Sequence, residues 1–262
     1  MPCFTRPVAA VGQTQLYARA ADDGGQLLAI SATVAAREDL ALLVPLPTPA
    51  GTAADAVRFL DLQSYPTFFD ELGLGFTALP RAASAAPPRA LRGTPRAHAI
   101  APLELSVAPD LASLARLDAR FAPSPRLLAR LAEYADFAFA VLRLTSWGGL
   151  LAHFRRPQAR LVLPVALHFP RRWSDRLYFP TLAVHDGDDA SEPELDHLCY
   201  CQPDERTEPH LARWERSAHA ASSFVDPGRA QGLVDGRAPC HRLTLRGPRG
   251  NQDLVVGPPL LR

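Results

Sequence analysis

The sequence predicts an α+β protein with largely antiparallel sheet, a helical pair between strands and a C-terminal helix. Three observations predict it. Short apolar runs bounded by glycine, proline and aspartate recur in both halves of the chain. Two stretches in the middle open with helix-start signals. Near the end, Pro209 to Ser222 places Leu211, Trp214 and Ala218 on one face of a helix.

The elements follow in order. Thr14 to Ala20, Gln26 to Val34 and Leu40 to Leu46 read as strands of a meander, separated by the turn Asp22 to Gly25 and the polar group Arg37 to Asp39. Pro45 and Pro47 end the pairing, and Tyr65 to Leu72 has the spacing of a short helix. Thr77 to Pro102 is rich in alanine, proline and arginine without apolar period, which predicts an exposed connection within a single domain, one that would also mark a two-lobed division. Leu103 to Val107 follows as a strand, then helices over Asp110 to Arg120 and Pro125 to Tyr134, with Pro109 and Asp110 near the first start. Phe137 to Leu144, Arg160 to Phe169 and Arg176 to His185 return to strand, and Cys240 to Arg246 and Asp253 to Val256 close the chain.

Composition excludes several functions. The 262 residues can bury a sizeable core without disulfide staples. A net charge of +1 with no basic run argues against nucleic acid, because neutralising phosphates needs a basic excess. No apolar run reaches the roughly 20 residues of a membrane span and no signal peptide is visible, so a soluble, cytoplasmic protein without membrane contact is expected, with a small molecule or a peptide as its partner. In that reducing setting Cys3, Cys199, Cys201 and Cys240 are expected as thiols. Lysine is absent, which removes Schiff-base, P-loop and kinase-type lysine chemistry.

Residues 185 to 201, HDGDDASEPELDHLCYC, concentrate the chemistry: two histidines, two cysteines and six carboxylates. Side chains alternate along a strand, so His197, Cys199 and Cys201 would share one side, with Leu198, Tyr200 and Gln202 on the other. DGDD is turn chemistry, and a hairpin with Arg176 to His185 would bring His185 beside His197.

The opening Cys3-Phe4-Thr5-Arg6-Pro7-Val8, the strand end Leu43-Val44-Pro45-Leu46-Pro47, Phe68-Phe69 with Leu72, and the block from His185-Asp186-Gly187 to Asp196-His197, Tyr200 and Gln202 resemble an uncharacterised bacterial protein family. The middle region is similar to a broader secreted group of unknown function. The resemblance runs from Cys3 to about Gln202 and implies no activity; it marks Cys3, His185, Asp196 and His197 as family-like positions. Pro2 before the cysteine and the insertion at Thr77 to Pro102 depart from it. Cys3, Arg19 and Asp22 are also spaced similarly to choloylglycine-hydrolase-like amidases, although removal of Met1 would expose Pro2 rather than Cys3.

Three sites are expected from these residues. In a catalytic site Cys3 supplies a thiolate, His197 or His185 moves the proton, and Asp196 or Asp186 orients the ring, because a nearby histidine raises the thiolate fraction; the plainer reading makes Cys3 a small buried apolar residue. In a metal site His197, Cys199 and Cys201 bind zinc or copper with His185 or Cys3 as the fourth ligand; the plainer reading has the two cysteines filling the core face of a strand. The acidic group Asp186, Asp188, Asp189, Glu192 and Glu194 would suit calcium, or form a solvated turn. The leading expectation is a thiol- or metal-assisted hydrolase. The alternative is a non-catalytic metal- or ligand-binding module.

Overall fold

The computed structural model of the chain describes residues 3–77, 99–100, 103–145, 157–184 and 191–258. Its strands and helices run β1 (Cys3–Phe4), β2 (Ala10–Ala20), β3 (Gly25–Ala36), β4 (Leu40–Leu46), β5 (Arg58–Leu60), α1 (Phe68–Leu74), β6 (Ala99–Ile100), β7 (Leu103–Ala108), α2 (Leu111–Leu114), α3 (Pro125–Arg130), β8 (Ala138–Leu144), β9 (Gln158–Pro170), β10 (Leu177–Phe179), β11 (Glu194–Gln202), β12 (Glu215–Ala220), β13 (Pro239–Pro248) and β14 (Leu254–Val256). The large sheet has the order β12-β13-β11-β2-β3-β9-β5, with β6 also paired to β9. A four-stranded sheet, β1-β4-β8-β7, and a two-stranded sheet, β10-β14, complete the set. Pairing is antiparallel except for β11 with β2 and β6 with β9.

The two larger sheets stack face to face. Leu16, Leu28, Ile30, Val165 and Leu167 of the large sheet meet Leu40, Leu42, Val44, Ala140 and Leu142 of the small one in a common core. That core draws on residues before and after the connection at Thr77 to Pro102. Each outer face is covered as well. Tyr17, Ala29, Tyr200 and Cys240 of the large sheet lie under Phe68, Phe69 and Leu72 of α1, and Cys3, Leu43 and Val141 of the small sheet lie under Leu114, Phe121, Leu127 and Leu131. Side chains therefore enter an apolar layer on both sides, which is why every residue of β3 and β4 is buried. Strands buried on both faces read as continuous apolar runs rather than as alternation.

The α+β expectation is overturned: the chain is mostly β, with α1, α2 and α3 only seven, four and six residues long. The start signals of the helical pair are real, since Asp110 accepts the Ser113 N–H at 2.7 Å and Ser124 Oγ accepts the Leu127 N–H at 3.2 Å. The helices stop early. After α2 the chain continues in turns through Leu117 and Ala122, and α3 passes into a 3₁₀ turn at Ala132–Tyr134.

The C-terminal helix is absent from its predicted place. Glu208–His210 is a 3₁₀ turn, Glu215–Ala220 is strand β12, and Ala221–Ser223 is a second 3₁₀ turn. Leu211 and Trp214 pack on the core from the turn, while Ala218 is exposed; three sparse apolar residues do not outweigh pairing with β13. The strand expected over Arg176 to His185 is short as well, Leu177–Phe179, and pairs with β14, not with β11. Strand β11 lies between β13 and β2 instead, so the local hairpin does not form. Most of the connection at Thr77 to Pro102 falls outside the described residues, as do His98, Trp147, the Gly148-Gly149 pair and residues 185–190, which include His185 and Asp186.

Candidate functional site

The sequence-predicted residues separate into different layers. Alternation along β11 holds: His197, Cys199 and Cys201 are fully buried, and the two cysteines join the core between the sheets, while Leu198 and Tyr200 turn to the outer face. Asp196 points opposite to its neighbour His197. Its carboxylate accepts the Gln13 N–H at 2.9 Å and pairs with Arg246 at 3.3 Å; Gln13, at φ 51, forms the irregularity in β2 that this carboxylate caps. Cys3 sits on the far side of the small sheet, opposite Leu43, and Cys240 lies under α1. The four thiols thus occupy three separate apolar clusters.

Their electrostatics follow from burial. Desolvation pushes the Cys199 and Cys240 thiols up to about 12 and raises those of Cys3 and Cys201. For Cys3 the neighbouring Asp253 charge adds to the effect. His197 is held down to about 2, mainly because its ring is removed from water. Nucleophilic attack needs a thiolate, and these surroundings favour the thiol. Among the described residues no group of three or more His, Cys, Asp and Glu side chains could hold a metal ion. Glu192 and Glu194 are exposed; Asp186, Asp188 and Asp189 lie outside the described residues.

The feature that the sequence did not announce is at the other side of β13. Strand β12 leaves β13 after the pair Glu215↔Arg242, so from Leu243 onward β13 is paired among the described residues only to β11. Strand β14 is likewise paired on one side, to β10. Between them lies a cleft of about 640 Å³ lined by three consecutive residues of each, Leu243, Thr244 and Leu245 and Leu254, Val255 and Val256. Consecutive residues of a strand reach one surface only if its backbone edge, rather than a single face, is presented. Leu195 and Trp214 add apolar side chains to the lining, and the exposed side chains Arg213, Arg249 and His210 stand on it.

Side chains acting as backbone anchor this cleft. The Gln26 amide accepts the Tyr178 N–H at 3.0 Å and donates to its carbonyl at 2.8 Å, occupying the outer edge of β10. Asn251 does the same to Ala183, both bonds at 2.6 Å. Next along, the half-buried Asp253 carboxylate accepts from the Tyr134 hydroxyl at 2.6 Å, the Tyr178 hydroxyl at 2.7 Å and the Leu182 N–H at 2.8 Å. Burial raises its pKa and these three donors pull it back. The start of β14 is fixed by this network, and Trp214 packs on Phe179 of β10 at 5.5 Å between ring centroids.

No family model and no curated protein matches the chain. Among solved structures it is similar to baculovirus P35, at 10% identity over 95% of this chain and 96% of that one with a TM-score of 0.47. It is also similar to a mutated baculovirus P35 after caspase cleavage, at 10% identity over 94% of this chain and 99% of that one with a TM-score of 0.44. No helix among the described residues is long and apolar enough to cross a membrane.

Proposed function

We propose that this protein is a non-catalytic binding module that takes up an extended peptide segment in the cleft between β13 and β14. The observation that supports this reading is the meeting of two one-sided strand edges over a lining of mixed polar and apolar character. An added strand gains main-chain hydrogen bonds from such an edge, and its alternate side chains find apolar contacts below. The volume of about 640 Å³ falls within the roughly 300–1,000 Å³ of ligand sites. A thiol- or metal-assisted hydrolase has less support, because the described thiols are enclosed and raised in pKa.

An eight-residue peptide alternating valine and serine tests the reading. Added to the full chain, it is expected to slow amide exchange within Leu243–Leu245 and Leu254–Val256. The same peptide methylated at every backbone nitrogen lacks N–H groups on both edges and should leave exchange there unchanged. Equal protection by both peptides, or protection confined to other strands, refutes edge pairing.

A further inference from the structure

We infer that the cleft selects an acidic extended peptide, an inference that rests on the peptide-binding reading above. The charges lining the cleft are unequal. Arg213, Arg249 and His210 are exposed along it, while the carboxylate of Asp253 is turned into the Tyr134 and Tyr178 hydroxyls and the Leu182 N–H. Among the described residues the guanidinium groups of Arg213 and Arg249 form no ion pair. Other arginines nearby are engaged: Arg242 with Glu215 at 2.5 Å and Arg246 with Asp196 at 3.3 Å. Two guanidinium forks with no ion pair among the described residues, beside the leucines and Trp214 of the lining, are suited to carboxylates, which they bind through two parallel hydrogen bonds.

Their placement sets the spacing of the ligand's charges. Arg213 precedes Glu215, the residue opposite Arg242 where β12 meets β13, and Arg249 follows Pro248, the end of β13. The open edge runs between them from Leu243 to Pro248. At about 3.3 Å per residue that edge is on the order of 16–20 Å long, so carboxylates near the two ends of a peptide of about six residues would each reach one arginine. Central apolar residues would then lie over Leu243, Leu245 and Trp214.

The segment from 78 to 98 is poorly matched to this cleft: it carries Arg81, Arg89, Arg92 and Arg96 and no carboxylate, the same sign as the exposed lining. A second copy docked cleft to cleft would oppose two basic sets, because a twofold contact pairs each surface with itself.

Three peptides alternating valine with glutamate, serine or arginine separate the outcomes by titration against the full chain. The glutamate peptide is expected to bind about tenfold more tightly than the serine peptide at low salt, with the preference shrinking at about 0.5 M salt, where charges are screened within roughly 4 Å. The arginine peptide should bind most weakly. The double variant Arg213→Gln, Arg249→Gln should bring the glutamate-to-serine ratio close to one, with circular dichroism confirming that it is folded. Equal affinity for the glutamate and serine peptides in the unaltered chain overturns the charge inference and leaves the cleft reading standing. Absence of binding by all three overturns the cleft reading itself. A dimer in sedimentation whose amide protection falls on Leu243–Leu245 and Leu254–Val256 without peptide would assign the cleft to a second copy and overturn both.

Discussion

Lowering the pH should destabilise the fold through His197, and the size of the effect follows from its burial. The ring is fully enclosed, with its pKa moved from the ordinary 6.5 down to about 2. The unfolded chain therefore binds a proton between these values that the folded chain does not. Stability rises with pH wherever the unfolded state binds more protons, so the contribution is complete above pH 6.5 and is lost as pH falls toward 2. Each pKa unit corresponds to about 1.36 kcal/mol, which makes the full loss on the order of 6 kcal/mol, comparable with the roughly 5–15 kcal/mol that holds a typical domain together. Urea unfolding of the natural chain and of His197→Leu at several pH values between 7 and 4 isolates this one group. Below pH 6.5 the natural chain should lose about 1.4 kcal/mol more per pH unit than the variant. Parallel pH profiles would refute the assignment, because they would mean that the ring protonates in place without cost.

Three further outcomes follow from the packing. The four enclosed cysteines should react with a disulfide reagent only as fast as the fold opens; a single rapid thiol in the native protein, Cys3 above all, would contradict their burial. Replacing Asp253 by alanine leaves two tyrosine hydroxyls and the Leu182 N–H without their acceptor, at about 1–3 kcal/mol for each buried group, whereas Asp253→Asn keeps an acceptor and should cost less in the same urea titration. Because burial raises the Asp253 pKa, its contribution is lost as pH rises through the folded value, and the asparagine variant should flatten that part of the profile. Phe68→Ala removes a fully enclosed ring that touches Tyr17, Tyr65 and Phe69 and should lower stability by about 3–5 kcal/mol; a change below 1 kcal/mol in calorimetry would mean that α1 is not seated on the sheet.

Individual strands were more legible than the architecture. The runs at Thr14 to Ala20, Gln26 to Val34, Leu40 to Leu46 and Cys240 to Arg246 fall inside β2, β3, β4 and β13, because turn residues bound them and strands are short. The fold class is illegible where helix-start signals are genuine but local: Asp110 and Ser124 cap their first turns, yet nothing in their sequences shows that the helix ends within six residues. At Pro209 to Ser222, periodicity competes with an available strand edge whose residues are 19 to 27 positions away along the chain. The same distance hid the cleft. Its lining joins Leu195, Trp214, Leu245 and Val256 from four stretches of chain, and no spacing in the sequence marks them as neighbours. Alternation along β11 was readable, and it put the sulfurs together as expected, but into a core closed by a second sheet. Asn251, the only asparagine of the chain, sits in no motif that marks its role; its amide serves as a substitute strand edge for Ala183.

Nuclear Overhauser contacts in the complex with the valine–glutamate peptide test the central claim most directly. Edge pairing predicts contacts between the peptide's backbone protons and those of Leu243–Leu245 or Leu254–Val256, in the alternating pattern of a strand ladder. A bound peptide whose contacts run only through side chains, or fall on another face of the protein, would contradict it.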